Sequence, residues 1–214
     1  MTNNVFDEIA PGWYNFRHWT IFRKELEDLA IKWSEGKLLN IGCAHGPDFL
    51  PFTQNFELHG IDSSYEMLKY ALKYSSKFNF TVQLAQADAR YLPYTDQTFD
   101  FVIAVATYHH IRYKVERLKA LFELRRILKS NGEAFITVWN GWQPRFLFKN
   151  KEQTVPWRKQ GRNLYRYYYL FNYPEFEGLV KQAGFRILKS FPESSYRFPI
   201  KLFSRNICLL IQKN

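Results

Sequence analysis

From Lys37 to Trp139 the chain alternates short apolar runs with longer stretches of helical spacing, and this alternation constrains the fold more than any other feature. The runs are Lys37 to Ile41, Glu57 to Asp62, Phe78 to Leu84, Phe99 to Ala106 and Ala134 to Trp139. Each has the length of a strand, and Phe99 to Ala106 is apolar enough to be buried on both faces. Between and around them, helical spacing recurs. Phe22, Leu26, Leu29, Ala30 and Trp33 share a face; Ser63 or Ser64 can cap a helix carrying Met67, Leu68, Ala71 and Leu72; Leu118, Leu121, Phe122, Leu124 and Leu128 mark another; Glu175 to Ala183 a fourth. Two late strands are expected at 185–188 and 207–211. The pattern predicts an α/β fold with a doubly wound, mostly parallel sheet. One domain over 1–214 is expected: a helical lead-in (1–36), a ligand-binding core (37–140), an insertion (141–171) and a closing helix with strands (172–214). In such sheets the ligand lies beyond the carboxyl ends of the strands.

Composition excludes several classes. At 46% hydrophobic and 19% aromatic, the 214 residues can fill a dense core, which rules out disorder. Cys43 and Cys208 stand alone, so neither a disulfide framework nor a metal site is expected. The sequence has no apolar run of about 20 residues and no signal-peptide pattern at Met1, which predicts a soluble, cytoplasmic protein.

The net charge of +10 is unevenly placed. Between Asn140 and Arg205 there are 13 Lys and Arg against four Glu and no Asp. A near-neutral platform joined to a basic, tyrosine-rich segment predicts a polyanionic partner.

After the first strand comes Gly42-Cys43-Ala44-His45-Gly46, a tight turn in which Gly42 and Gly46 let backbone approach a ligand. Asp62 ends the second strand, where a carboxylate can accept both hydroxyls of a ribose. Ala44 and Pro47 stand where a dinucleotide fingerprint requires its later glycines, and no G-K-[ST] follows. What remains is an adenosine ligand without a pyrophosphate, of which S-adenosylmethionine is the commonest. Ser63, Asp88, Ala89 and Val105 fall at the other strand ends, Asp88 as a candidate acceptor for the adenine amino group. Asp100, at the far end of its strand, reads as structural.

Through Leu39 to Gly46, Gly60-Ile61-Asp62, Ala87-Asp88-Ala89 and Leu128 to Gly132, the sequence resembles the class I methyltransferases. That resemblance implies a seven-stranded Rossmann-like sheet with its last strand antiparallel. Val5 to Ala10 with Arg17, Ala106 to Ile111 with Glu116-Arg117, Val138-Trp139, Val155-Pro156-Trp157 and Arg166 to Phe171 further resemble the tRNA wobble-uridine carboxymethyl methyltransferases. The family implies esterification of a carboxymethyl group on uridine 34, with Arg17, His109, His110 and Arg117 as clamps for a carboxylate or a nearby phosphate. It also implies the tRNA anticodon loop and a small zinc-binding activator subunit as partners, the latter docking at a sheet edge near the fourth or fifth strand.

In the basic insertion Lys149, Arg158, Arg162 and Arg166 are expected to meet phosphates, and Trp157 and Tyr167 to stack on unpaired bases. Two other readings stay open: a small-molecule or protein-carboxyl methyltransferase on the same fold, and a non-catalytic RNA-binding protein, which Asn40 and Ala44 allow because the family has an acid and a glycine there.

Overall fold

The computed structural model describes residues 5–159, 161–198 and 200–214, with the Lys159 side chain left out. Two helices lead in, α1 (Val5–Phe16) and α2 (Arg23–Trp33). The core follows as β1 (Gly36–Ile41), β2 (Phe56–Asp62), α3 (Tyr65–Phe78), β3 (Gln83–Gln86), β4 (Phe99–Val105), α4 (Lys114–Ile127) and β5 (Leu128–Trp139). A hairpin of β6 (Glu152–Lys159) and β7 (Arg162–Tyr169) precedes α5 (Tyr173–Gln182), β8 (Phe185–Pro192) and β9 (Asn206–Lys213).

The main sheet has the order β3-β2-β1-β4-β5-β9-β8, with β1 to β5 parallel and β9 antiparallel to both its neighbours. The expected seven-stranded sheet with an antiparallel last strand is therefore present. β4 and β5 are interior strands. Among the described residues the sheet edges are β3 and β8, so the fourth and fifth strands themselves offer no free edge.

Local chemistry sets most element ends. The Ser64 hydroxyl accepts from the Met67 amide at 3.1 Å to begin α3, and Asn79, left-handed at φ 54°, ends it. The third strand accordingly starts at Gln83, not at Phe78, which closes the preceding helix. Asn172 caps α5 through the Glu175 amide at 2.9 Å. Asp100 holds the base of the sheet, accepting from the Lys37 amide at 2.9 Å and from Lys129 at 2.7 Å, as its placement predicted.

Both faces of the sheet are covered. One side packs Leu121, Leu124 and Phe176 against Val102 and Ile136; the other packs Phe22, Leu26 and Trp33 against Leu38, Ile103 and Phe135. Each large side chain of this kind contributes roughly 1.5–3 kcal/mol on burial. Among the described residues no helix is long and apolar enough to cross a membrane.

The insertion is anchored to the sheet by the Asn140–Phe171 bridge and folds its hairpin back onto α1. Trp157 of β6 meets Trp13 (centroids 5.5 Å apart) and Phe16 (5.6 Å) of α1. Helix α1 is thus held between the hairpin on one side and α3 on the other, where Ile9 and Ala10 pack on Met67.

Candidate active site

A cleft of about 570 Å³ opens at the carboxyl ends of β1, β2 and β4, beneath α1. Its size is ordinary for a small-molecule site. Gly42, at φ 71°, forms its floor: a Cβ there would lie 2.3 Å from Oγ1 of Thr107, so only glycine fits the turn. The Gly42 and Cys43 amides both donate to the Ile61 carbonyl, at 2.8 and 2.9 Å, fastening the turn to β2. Gly46 has a different task from the one expected. It starts the 3-10 turn Pro47–Phe52 and lies against Phe49 and Tyr74, behind the cleft wall.

Asp62 enters the cleft from the end of β2. Its Oδ2 accepts from the Ala44 amide and its Oδ1 from the Ser64 amide, both at 2.9 Å. Each carboxylate oxygen keeps a second lone pair, enough to receive a vicinal diol. Burial pushes the Asp62 carboxyl up to about 6 against the pull of those amides. Cys43, Ser63, Ala89 and Val105 line the same cleft. Asp88 does too, but Arg90 grips it through two bonds, at 2.9 and 2.6 Å, and reaches Glu116 at 2.8 Å with its other nitrogen. Burial would raise the Asp88 carboxyl; the Arg90 contact outweighs it and holds the group low. The sequence reading missed this Asp88–Arg90–Glu116 chain, although the Asp-x-Arg spacing was visible.

The other end of the cleft is lined by Trp13, Arg17, His109, His110, Arg112 and Tyr167. Arg17 and Arg112 form no ion pair among the described residues; each lies against an aromatic ring, Arg17 on Trp13 at 5.1 Å and Arg112 on Tyr167 at 4.8 Å. Arg112 was not singled out from sequence. His109 is completely buried and stacked on Tyr168, while His110 donates from Nδ1 to the Tyr167 carbonyl at 2.8 Å. Burial drives both imidazoles down, His110 to about 4, so both are neutral at pH 7 and neither is a cationic clamp.

Two other expected roles are corrected. Arg117 is 4% exposed and does not line the cleft; it donates to the Ile111 carbonyl at 3.0 Å and lies 3.7 Å over the Tyr169 ring, holding the segment after the histidines. Arg166 is 6% exposed and inserted among Trp13, Trp157 and Tyr168, so it packs against rings instead of standing on an open basic face. Trp157 is likewise engaged with α1. Lys149, Arg158 and Arg162 are exposed on the insertion, as a phosphate-binding face needs. Of the tyrosine run, Tyr165 is 58% exposed, Tyr168 is buried on Trp139 at 4.2 Å, and Tyr167 faces the cleft.

Residues 39–136, which carry the glycine turn, Asp62 and the two histidines, match the family model described as a methyltransferase domain. The chain therefore carries a methyltransferase domain, and the glycine floor and the diol-ready Asp62 fit S-adenosylmethionine as its cofactor. The relatives point the same way. A tRNA (carboxymethyluridine(34)-5-O)-methyltransferase of Schizosaccharomyces pombe is 27% identical over 87% of this chain and 89% of its own length. An Arabidopsis thaliana protein of the same name is 32% identical over 64% of this chain, which spans only 32% of that relative. In fold, an S-adenosylmethionine-dependent methyltransferase from Clostridium acetobutylicum superposes with a TM-score of 0.77 over 99% of this chain and 100% of its own, at 14% identity.

Proposed function

We propose that this protein methylates the carboxylate of a 5-carboxymethyluridine at the wobble position of tRNA. S-adenosylmethionine, when bound, supplies an electrophilic methyl group on a sulfonium. The rest falls to the chain. Asp62 and the Gly42 turn hold the cofactor end, and the Arg17–Arg112 end receives the acceptor.

The observation that carries this reading is that the carboxylates lining the cleft are engaged or buried, while Arg17 and Arg112 at its acceptor end form no ion pair among the described residues. Asp88 and Glu116 are both bound by Arg90, and Asp62 is engaged by two amides at the cofactor end. Asp48 is buried beside Arg17 and Thr20, its carboxyl raised by that burial. No carboxylate of the cleft is thus free to take a proton from the acceptor. A carboxylate, with a pKa near 4, is already ionised and needs only orientation. Arg17 and Arg112 supply charge for that purpose, and alignment of this sort is worth up to roughly 7–11 kcal/mol of a barrier. Lys149, Arg158 and Arg162 give the exposed cationic face that an anticodon arm requires, and position 34 lies in a loop whose bases need no duplex opening. The S. pombe relative's name supports the same acceptor.

The test is nucleoside mass spectrometry of tRNA incubated with the protein and S-adenosylmethionine, alone and with a small zinc-binding activator subunit, the partner that belongs to this reading. A methyl ester should appear on 5-carboxymethyluridine and on no other nucleoside. Methylation of free small carboxylates with tRNA left untouched would refute it.

A further inference from the structure

The two adjacent histidines are locked in opposite polarity. The Trp139 amide donates to Nδ1 of His109 at 3.1 Å. That nitrogen must carry a lone pair, so in the neutral ring the proton sits on Nε2. His110 is the reverse: its Nδ1 faces the Tyr167 carbonyl at 2.8 Å, and a carbonyl only accepts, so Nδ1 carries the proton and Nε2 the lone pair. Both rings line the acceptor end of the cleft, with centroids 4.5 Å apart and planes at 72°. Their surroundings fix this arrangement. His109 packs against Tyr168 and Trp139 beside Arg166, and His110 against Phe6 and Tyr168, so lost hydration and the nearby cation disfavour a second proton on either.

One atom is left over. Nε2 of His109 is buried and has no hydrogen-bond partner among the described residues. A buried N–H without an acceptor costs about 1–3 kcal/mol, and a polar group left so beside a cleft is suited to a ligand.

We infer that His109 and His110 together read the imide edge of a uracil ring, His109 donating from Nε2 to O4 and His110 accepting the N3 proton. This rests on the tRNA reading above and extends it from the carboxylate to the base that bears it. O4 is on the carbon next to C5, so the edge being read adjoins the carboxymethyl group. Cytosine presents the opposite polarity, an amino donor at position 4 and a lone pair at N3, and would set donor against donor and acceptor against acceptor. Sites that hydrogen-bond one polarity reject the other strongly because buried groups are then left unpaired.

The experiment uses the full chain with S-adenosylhomocysteine and fluorescent anticodon stem-loops carrying 5-carboxymethyluridine, its N3-methyl derivative or 5-carboxymethylcytidine. Binding is followed by anisotropy, and methylation of the same stem-loops is scored with S-adenosylmethionine. The uridine stem-loop should bind at least tenfold more tightly than either analogue. His109→Asn keeps an acceptor for the Trp139 amide but has no atom at the Nε2 position, and should lose most of that discrimination while retaining thermal stability. His109→Gln restores a donor there and should recover it. If the wild-type chain methylates all three stem-loops and binds them within twofold, or if His109→Asn discriminates as well as wild type, the histidine assignment is overturned and the acceptor reading stands. If no carboxymethyl stem-loop is methylated, with or without the activator, both fall together.

Discussion

Asp7 of α1 accepts hydrogen bonds from the Ser64 hydroxyl at 2.6 Å and the Glu66 amide at 3.2 Å, tying the covering helix to the residues that follow Asp62. One carboxylate thus serves as a cap for α3 and as the latch that closes α1 over the cofactor end. Asp7→Ala is expected to cost about 1 kcal/mol through the lost cap and to weaken S-adenosylhomocysteine binding about tenfold. Calorimetry at 25 °C reads the second effect, and unchanged affinity would show that α1 stays seated without the latch.

Asp62 makes cofactor binding pH-dependent. Its carboxyl titrates near 6 in the folded chain, above the unfolded value, so the folded state binds more protons between about pH 4 and 6. Stability from this group therefore falls as pH rises through that window, while affinity for a diol-bearing ligand rises. Cofactor affinity should drop up to about tenfold per unit below pH 6. Asp62→Asn should flatten the pH profile and reduce affinity at least tenfold, its amide nitrogen being set against one of the two backbone N–H groups that the carboxylate accepts.

The glycine floor tolerates no side chain. In Gly42→Ala the Cβ would meet Thr107 at 2.3 Å on a backbone with φ 71°, so both contact and conformation are unfavourable. The expected result is lost cofactor binding with a melting temperature several degrees lower. Thr107→Ala in the same chain should restore only part of the loss, because the conformational penalty stays.

Arg158 and Arg162 test the RNA face without touching the core. Replacing both with Glu should leave the melting temperature unchanged, reduce tRNA affinity at least tenfold, and lower the slope of log affinity against log salt by about 1–2 units. Arg166→Glu should differ in kind. It places an acid among Trp13, Trp157 and Tyr168, so the hairpin and α1 should come apart and cofactor binding suffer as well. Hydrogen exchange in 5–16 and 152–169 would register that separation.

The cofactor half of the molecule was readable because each of its signals is local. Gly60-Ile61-Asp62 ends a strand by its own apolar pattern, and the turn at Gly42 needs a residue without a side chain. The acceptor half was less so, because its side chains are placed by contacts distant in sequence. Arg166 and Tyr168 point inward on β7 while Tyr165 is exposed, yet the string Tyr165-Arg166-Tyr167-Tyr168 carries no alternation between polar and apolar that would reveal it. The burial of Arg166 follows from Trp13, more than 150 residues earlier. Arg117 was misread for the same reason: the ring that covers it, Tyr169, arrives only when the hairpin returns to the sheet. The states of His109 and His110 depend on backbone groups of Trp139 and Tyr167, which no spacing rule connects to them.

The β6–β7 hairpin leaves the sheet after Trp139 and rejoins it at Phe171, so the residues between form an appendix whose removal breaks no rung of the seven-stranded ladder. Its inner face nonetheless supplies Tyr167 and Tyr168 to the wall opposite the methyl donor. A catalyst assembled this way can acquire a new clientele by exchanging one ribbon, provided that the substitute still seats α1 over the donor end.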